Sequence, residues 1–183
     1  MTEFPRLETA RLVLRALSEP DAPALFEVFS DPQVMLYWSR PPMASVEEAV
    51  ALVRDIEVGF RTRTLLQWGI TLKGANAVIG TCTLYRWDHA HRRAELGYVL
   101  RRDHWGRGLA TEAVSAVLDF AFGEMGLHRV GADTDPRNSA SARLLERLGF
   151  QREGLQRETY FHLGEWADSE LWGLVAPKSP STS

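Results

Sequence analysis

The chain has 183 residues, 45% of them apolar and 25% charged, with a formal net charge of −3; this is one domain with enough apolar residues for a substantial core. The acidic balance argues against a nucleic-acid partner, although all but two of the 21 basic residues (Lys73 and Lys178) are arginine and leave room for a local basic patch. Cys82 is the only cysteine, which excludes an internal disulfide or thiolate metal cluster, and no apolar run is long enough to cross a membrane.

In chain order, Leu12-Val-Leu-Arg15 alternates as a short strand. Ser18 or Asp21 starts a helix reaching about Phe29, with Leu25, Val28 and Phe29 on its apolar side, and Asp31-Pro32 ends it. Val34-Met-Leu-Tyr-Trp38 is apolar and aromatic but has no regular period. Ser45-Val-Glu-Glu48 is a capping-box pattern and predicts a helix to about Arg63. Residues 65–72 and 77–86 read as two strands around a hairpin turn at Lys73-Gly-Ala-Asn76. A polar loop from Trp87 to Arg92 leads to a third strand, 94–100. Residues 111–125 form a long helix whose stripe is Ala113, Val114, Val117, Leu118 and Ala121, with Gly126 as its stop. A strand over 128–134 follows. Asn138 then caps a short helix packed through Ala142, Leu144, Leu145 and Leu148, with Gly149 in the left-handed position beyond its end. Residues 151–161 and 168–175 are the closing strands, giving one domain over 1–176 and a frayed Pro/Ser-rich tail over 177–183. The order is mixed α/β and lacks the strict alternation of a doubly wound parallel sheet. The opening Met1-Thr-Glu-Phe-Pro-Arg6 carries no apolar leader, so the expected location is cytoplasmic.

Trp105-Gly-Arg-Gly-Leu-Ala110 lies between an apolar strand and a long helix. Free backbone N–H groups and the helix dipole make such a turn an anion site. Gly106 and Gly108 permit close approach, and Arg101, Arg102 and Arg107 add charge. The run is neither a Rossmann fingerprint, since Thr111 stands where the third glycine belongs, nor a P-loop, which needs Gly-Lys-Ser/Thr.

Together with Arg11-Leu-Val-Leu-Arg15, Ala94-Glu-Leu-Gly-Tyr98, Asn138-Ser-Ala-Ser141 and Leu148-Gly-Phe150, the run Trp105-Gly-Arg-Gly-Leu-Ala-Thr-Glu-Ala113 resembles the GNAT superfamily of acetyl-CoA-dependent N-acetyltransferases. The nearer likeness is to the type that acetylates the N-terminal alanine or serine of ribosomal proteins. The resemblance covers roughly residues 6–176 and implies a central, mostly antiparallel twisted sheet flanked by helices. It implies that acetyl-CoA is held with its pyrophosphate over Arg107, Gly108, Leu109, Ala110 and Thr111. Its pantetheine arm is then expected to run beside Leu96, Val99 and Leu100, where that strand diverges from the 128–134 strand, and to touch Asn138. Trp105 stands where Gln or Arg is usual at the head of the turn, which puts one side-chain contact in question.

Acetylating an amine requires removing a proton from an ammonium, stabilising charge on the thioester carbonyl, and protonating the departing sulfur. Glu95 is the candidate base: its strand neighbours Ala94, Leu96, Val99 and Leu100 are apolar, and such surroundings raise a carboxyl pKa. A solvated edge-strand carboxylate is the alternative. Glu112 reads as a helix-end charge or local support. The superfamily often carries a tyrosine acid seven residues after the asparagine; that position is Leu145 here, and the resemblance moves the role to Ser141, with Tyr98 second. Trp38, Trp87 and Trp166 fall in loops and either rim an acceptor site or close the core. The five histidines show no metal-ligand spacing, and no metal is expected.

Four functions compete. The resemblance favours acetylation of a protein N-terminal α-amine. A small-amine acceptor (amino acid, polyamine or aminoglycoside) and a non-catalytic CoA-binding protein follow, and a nucleic-acid module comes last. The expected partners are acetyl-CoA, an amine acceptor and a second copy of the chain.

Overall fold

Eight strands hydrogen-bond into one sheet in the order β1-β2-β3-β4-β5-β6-β8-β7 in a computed structural model that describes residues 3–177. The strands are β1 (Leu7–Glu8), β2 (Leu12–Arg15), β3 (Leu65–Leu72), β4 (Val78–Asp88), β5 (Arg93–Leu100), β6 (Arg129–Thr134), β7 (Gln151–His162) and β8 (Glu165–Val175). Every neighbouring pair is antiparallel except β5–β6. Helices α1 (Ala22–Phe29) and α2 (Val46–Thr62) cover one face, where Leu25, Val28, Phe29, Val53 and Ile56 pack with Val78 and Val99. Helices α3 (Leu109–Gly123) and α4 (Ser139–Arg147) cover the other, around fully buried Trp68, Leu84, Val117 and Leu145. Each such apolar side chain contributes roughly 1.5–3 kcal/mol on burial. Cys82 is buried in β4, and burial pushes its thiol up to about 12, as befits an inert core residue. None of the described helices is long and apolar enough to cross a membrane.

Several boundaries differ from the sequence reading, each for a local reason. β1 has two residues, too few to show a period, and exists because it pairs with β2. The box at Ser45 does not close: Ser45 caps α2 without a side-chain bond to the helix backbone, and the Glu48 carboxylate accepts from the N–H of Ala44 at 3.1 Å. α3 begins two residues earlier than expected, because Gly108 itself is the cap, and ends at Gly123; a bond from Leu127 N–H to the Ala121 carbonyl then turns the chain around Gly126. The closing hairpin is longer than expected. β8 starts at Glu165 and pairs Phe161 with Trp166 and His162 with Glu165, leaving Leu163-Gly164 as the turn. Of the expected tail, residues 178–183 lie outside the described residues.

Candidate active site

The parallel pair β5–β6 holds together only at Arg93–Arg129, Ala94–Val130 and Glu95–Gly131. Beyond Glu95, β5 keeps its ladder with β4 through Leu100 but has no ladder partner in β6. The sheet therefore splays, and the β6-facing backbone edge of residues 96–100 is open to another hydrogen-bonding chain. Side-chain alternation divides β5 across this opening. Ala94, Leu96, Tyr98 and Leu100 face α3 and α4, whereas Val99 packs with α1 and α2, and Glu95 and Gly97 share its side of the strand.

At the end of β5 the glycine turn is braced from below. Trp105 Nε1 donates to the Leu100 carbonyl at 2.8 Å, so the residue that departs from the usual motif ties the turn to the strand. Gly106 and Gly108 both have φ of 73°, a conformation that strains other residues. The first bond within α3 is from Glu112 N–H to the Gly108 carbonyl; the N–H groups of residues 109–111 have no carbonyl a turn back to bond. Glu112 clamps this turn to the β1–β2 bend. Its carboxylate accepts from Thr9 Oγ1 at 2.5 Å, from Arg11 N–H at 2.9 Å and from the Arg11 guanidinium at 2.6 Å. Burial works against ionisation there, but these donors outweigh it and hold the carboxyl below its ordinary range. Arg11 also donates to the Arg107 carbonyl at 2.9 Å. Alongside runs a groove of about 630 Å³, lined by Gly108, Thr111, Ser115, Asp119 and Arg147 among others.

The flanking arginines are placed differently from one another. Arg101 bonds Asp103 and Glu27, and Arg102 pairs with Asp31 at 3.4 Å. Arg107 forms no ion pair among the described residues. The turn thus combines free N–H donors, an unpaired guanidinium and a neutralised carboxylate, a donor set that fits a pyrophosphate.

On the α4 side, Asn138 Oδ1 accepts from Ser141 N–H at 3.1 Å and caps the helix. The Ser141 and Tyr98 hydroxyls lie 2.6 Å apart. Burial pushes the Tyr98 phenol up to about 12, with the bond to Ser141 opposing, so it stays neutral at physiological pH. Leu145 is fully buried in the core, so its position carries packing rather than chemistry.

On the opposite face, the half-buried Glu95 carboxylate lies over Gly131: a Cβ there would sit 2.5 Å from its Oε2 and 2.7 Å from its Oε1. Burial raises the Glu95 carboxyl, Asp133 raises it further, and Arg86, Arg129 and Arg93 oppose. Asp133 accepts from Tyr85 Oη at 3.3 Å and from Ser169 Oγ at 3.0 Å. Tyr85 stands directly opposite Glu95 in the β4–β5 register, and burial, then Asp133 and Glu95, raise its phenol well above the usual range. Sequence reading missed Tyr85, Asp133 and Ser169. Once the strands are aligned, period-two alternation puts Asp133 on the same side of β6 as Gly131.

The β7–β8 hairpin reaches the same region. Arg137, next to the α4 cap, bonds Asp135 at 2.7 Å and Glu165 at 2.8 Å, and lies over the Tyr37 ring from the α1–α2 loop. Beyond this lock the hairpin end presents Phe161, Leu163 and Trp166, which are 58%, 63% and 60% exposed. The expected loop positions hold only for Trp38, which packs edge-on against Phe29; Trp166 lies in β8, and Trp87 lies in β4 and stacks on His89. No group of His, Cys, Asp or Glu among the described residues could hold a metal ion.

Residues 11–151 match the family described as the acetyltransferase (GNAT) domain. The chain is 36% identical over 175 residues to the uncharacterized N-acetyltransferase YoaA of Bacillus subtilis (strain 168), covering 96% of this chain and 99% of the relative. It is 26% identical over 170 residues to the spermidine N(1)-acetyltransferase of Vibrio cholerae, covering 92% of this chain and 96% of that one. Mycobacterium smegmatis RimJ, solved in complex with CoA-disulfide, has a similar structure at TM-score 0.83 and 27% identity, over 94% of this chain and 86% of that chain. The chain belongs to the GNAT acetyltransferase family and is an N-acetyltransferase that uses acetyl-CoA as its cosubstrate.

Proposed function

We propose that the acceptor is a polypeptide N-terminal α-amino group, as in a ribosomal-protein alanine or serine acetyltransferase, with direct transfer in a ternary complex. The observation that carries this reading is the exposed apolar end of the β7–β8 hairpin, Phe161, Leu163 and Trp166, locked through Glu165 and Arg137 to the loop that caps α4. A polypeptide has side chains to bury there; a small polar amine has few. A cytoplasmic site of action goes with such an acceptor.

Acetyl-CoA supplies the acyl group as a thioester. In this reading the N–H groups of residues 107–111 and the Thr111 hydroxyl hold its pyrophosphate, and the open edge of Leu96, Val99 and Leu100 pairs with its pantetheine amides, which Asn138 also contacts. Arg101 and Arg102, already shared with acidic partners, contribute charge rather than a free fork. Glu95 and Ser141 act from opposite faces of the splay. An α-amino group, with a pKa near about 8, is mostly protonated at neutral pH; Glu95 Oε takes a proton from it so that the nitrogen lone pair is available. Ser141 Oγ gives a proton to the departing sulfur, Tyr98 orients that hydroxyl, and the second proton lost by the nitrogen restores it. The nitrogen gives up two protons in all, the sulfur keeps one, and one reaches solvent through Glu95.

A small-amine acceptor is the second reading, supported by the carboxylates of Glu95 and Asp133 on one face and by the 26%-identical spermidine acetyltransferase. The test is acetyl transfer by the purified protein, read by mass spectrometry. Acceptors are peptides with free N-termini, the same peptides with blocked N-termini, spermidine and an aminoglycoside. Transfer to free α-amines is expected, and it should fall about 10²–10⁴-fold in Glu95→Gln. Efficient acetylation of spermidine with every peptide inert would overturn the polypeptide reading.

A further inference from the structure

We infer that Asp133, pinned by the hydroxyls of Tyr85 and Ser169, is a positioning carboxylate of the acceptor site: its fixed charge draws the acceptor ammonium toward Glu95 and keeps Glu95 competent to take the proton. This rests on the reading of Glu95 as the base.

The geometry comes from three strands. Tyr85 on β4 is the direct register partner of Glu95 on β5. Glu95 lies over Gly131 on β6, and Asp133 is the next residue on that same side of β6, about 6.6 Å along the strand. Asp133 itself is exposed, so it is not a buried structural acid. Its oxygens are nonetheless held separately, Oδ1 by Tyr85 at 3.3 Å and Oδ2 by Ser169 of β8 at 3.0 Å. Two hydroxyl donors fix a carboxylate without cancelling its charge, as an arginine partner would.

The cations around Glu95 are largely committed elsewhere. Arg129 of β6 is forked onto Glu153 of β7, and Arg93 of β5 pairs with Asp88 at 3.2 Å. Arg86 of β4 lies over the Tyr85 ring. Tyr160 of β7 is raised by burial and by Asp135, Asp133 and Asp168, so it too stays neutral; Asp168 accepts from Glu158 N–H. Asp133 is left as the uncompensated charge facing Glu95. A carboxylate beside another resists losing its proton, and the pair attracts a cation more strongly than either member alone.

The test uses Asp133→Asn, Tyr85→Phe and Glu95→Gln on one verified peptide acceptor. Asp133→Asn should move the acidic limb of kcat/KM down by about one pH unit. It should also raise KM for the amine about tenfold and leave KM for acetyl-CoA unchanged. Tyr85→Phe should move both in the same direction by less. A ¹³C NMR titration of the Glu95 carboxyl should show the same downward shift in Asp133→Asn without substrate. If Glu95→Gln is crippled while Asp133→Asn keeps the wild-type limb, amine KM and Glu95 titration, the role of Asp133 is refuted and Glu95 stands. A wild-type rate for Glu95→Gln overturns Glu95 as base and the role of Asp133 with it.

Discussion

Gly131→Ala separates the proposed role of Glu95 as base from its contribution to stability. A methyl group at 131 would lie 2.5, 2.7 and 2.8 Å from three atoms of the Glu95 carboxylate. Comfortable carbon contacts begin near about 3.5 Å, so the carboxylate must retreat by roughly 1 Å. What moves is the end of a flexible side chain, so the strain is about 0.5–1.5 kcal/mol for an off-rotamer Glu95. The loss of backbone freedom in the unfolded chain returns about 0.4–1 kcal/mol. Net stability therefore changes by less than about 1 kcal/mol, and Tm by no more than about 2–4 °C. A reacting group displaced by 1 Å is worth about 10²-fold in rate. The assay is single-turnover acetylation, with Tm by calorimetry and acetyl-CoA affinity by titration, expected to show slow transfer on a stable scaffold with normal cofactor binding. Adding Glu95→Asp, one methylene shorter, should relieve the strain and recover Tm without recovering turnover. Wild-type turnover in Gly131→Ala would refute the idea that the carboxylate works from its seat over the glycine.

Three more outcomes follow from the site. Gly108→Asp should abolish acetyl-CoA binding in titration calorimetry, because it sets a like charge beside phosphate and a side chain at φ of 73°; a folded variant with normal affinity would dissolve the assignment of the turn. Ser141→Ala should slow single-turnover transfer by about tenfold, less than Glu95→Gln, because a thiolate leaves readily and water can protonate it; a wild-type rate would shift the donor role to Tyr98 or solvent. Glu112→Gln should cost about 1–2 kcal/mol in urea unfolding through weakened bonds to Thr9 and Arg11. Because the folded Glu112 pKa is depressed, that stability is present above the unfolded value of about 4.3 and is lost as pH falls through the folded one. The gap between wild type and Glu112→Gln should close below about pH 4, and a gap that persists there would mean Glu112 acts by shape rather than charge.

The sequence made local features legible and left non-local ones obscure. The glycine turn, the Asn138 cap, the 73–76 hairpin and the long apolar stripe of α3 are each written within a dozen residues, and they stand close to where the pattern puts them. β1 was invisible because its reason for being a strand is β2, not its own two residues. The Ser45 pattern predicted a reciprocal cap, yet the Glu48 carboxylate found the Ala44 N–H, a choice set by how the chain enters the helix. Glu95 could be chosen from its apolar neighbours. Its partners could not, because Tyr85, Asp133 and Ser169 come from three other strands, and the β5–β6 pairing that gathers them crosses over through α3.

The proposed division of labour across the splay rests on a single odd number. Glu95 and Tyr98 are three residues apart on one strand, and three is the shortest spacing beyond immediate neighbours that sends two side chains to opposite faces. With Glu95 toward Asp133 and Tyr98 toward Ser141, the proposed base and the proposed proton donor are separated by the thickness of the sheet, with the opening beyond Gly131 between them. The register that achieves this is fixed by burial rather than by the site. Leu84–Leu96 and Gly80–Leu100 align β4 with β5 under the α3 core, while Val99 seals the α1–α2 side. A one-residue slip would turn Leu96 and Leu100 out of the α3 core and point Glu95 into it in their place. The hydrophobic pattern that folds β5 is thus also the constraint that aims its two polar groups.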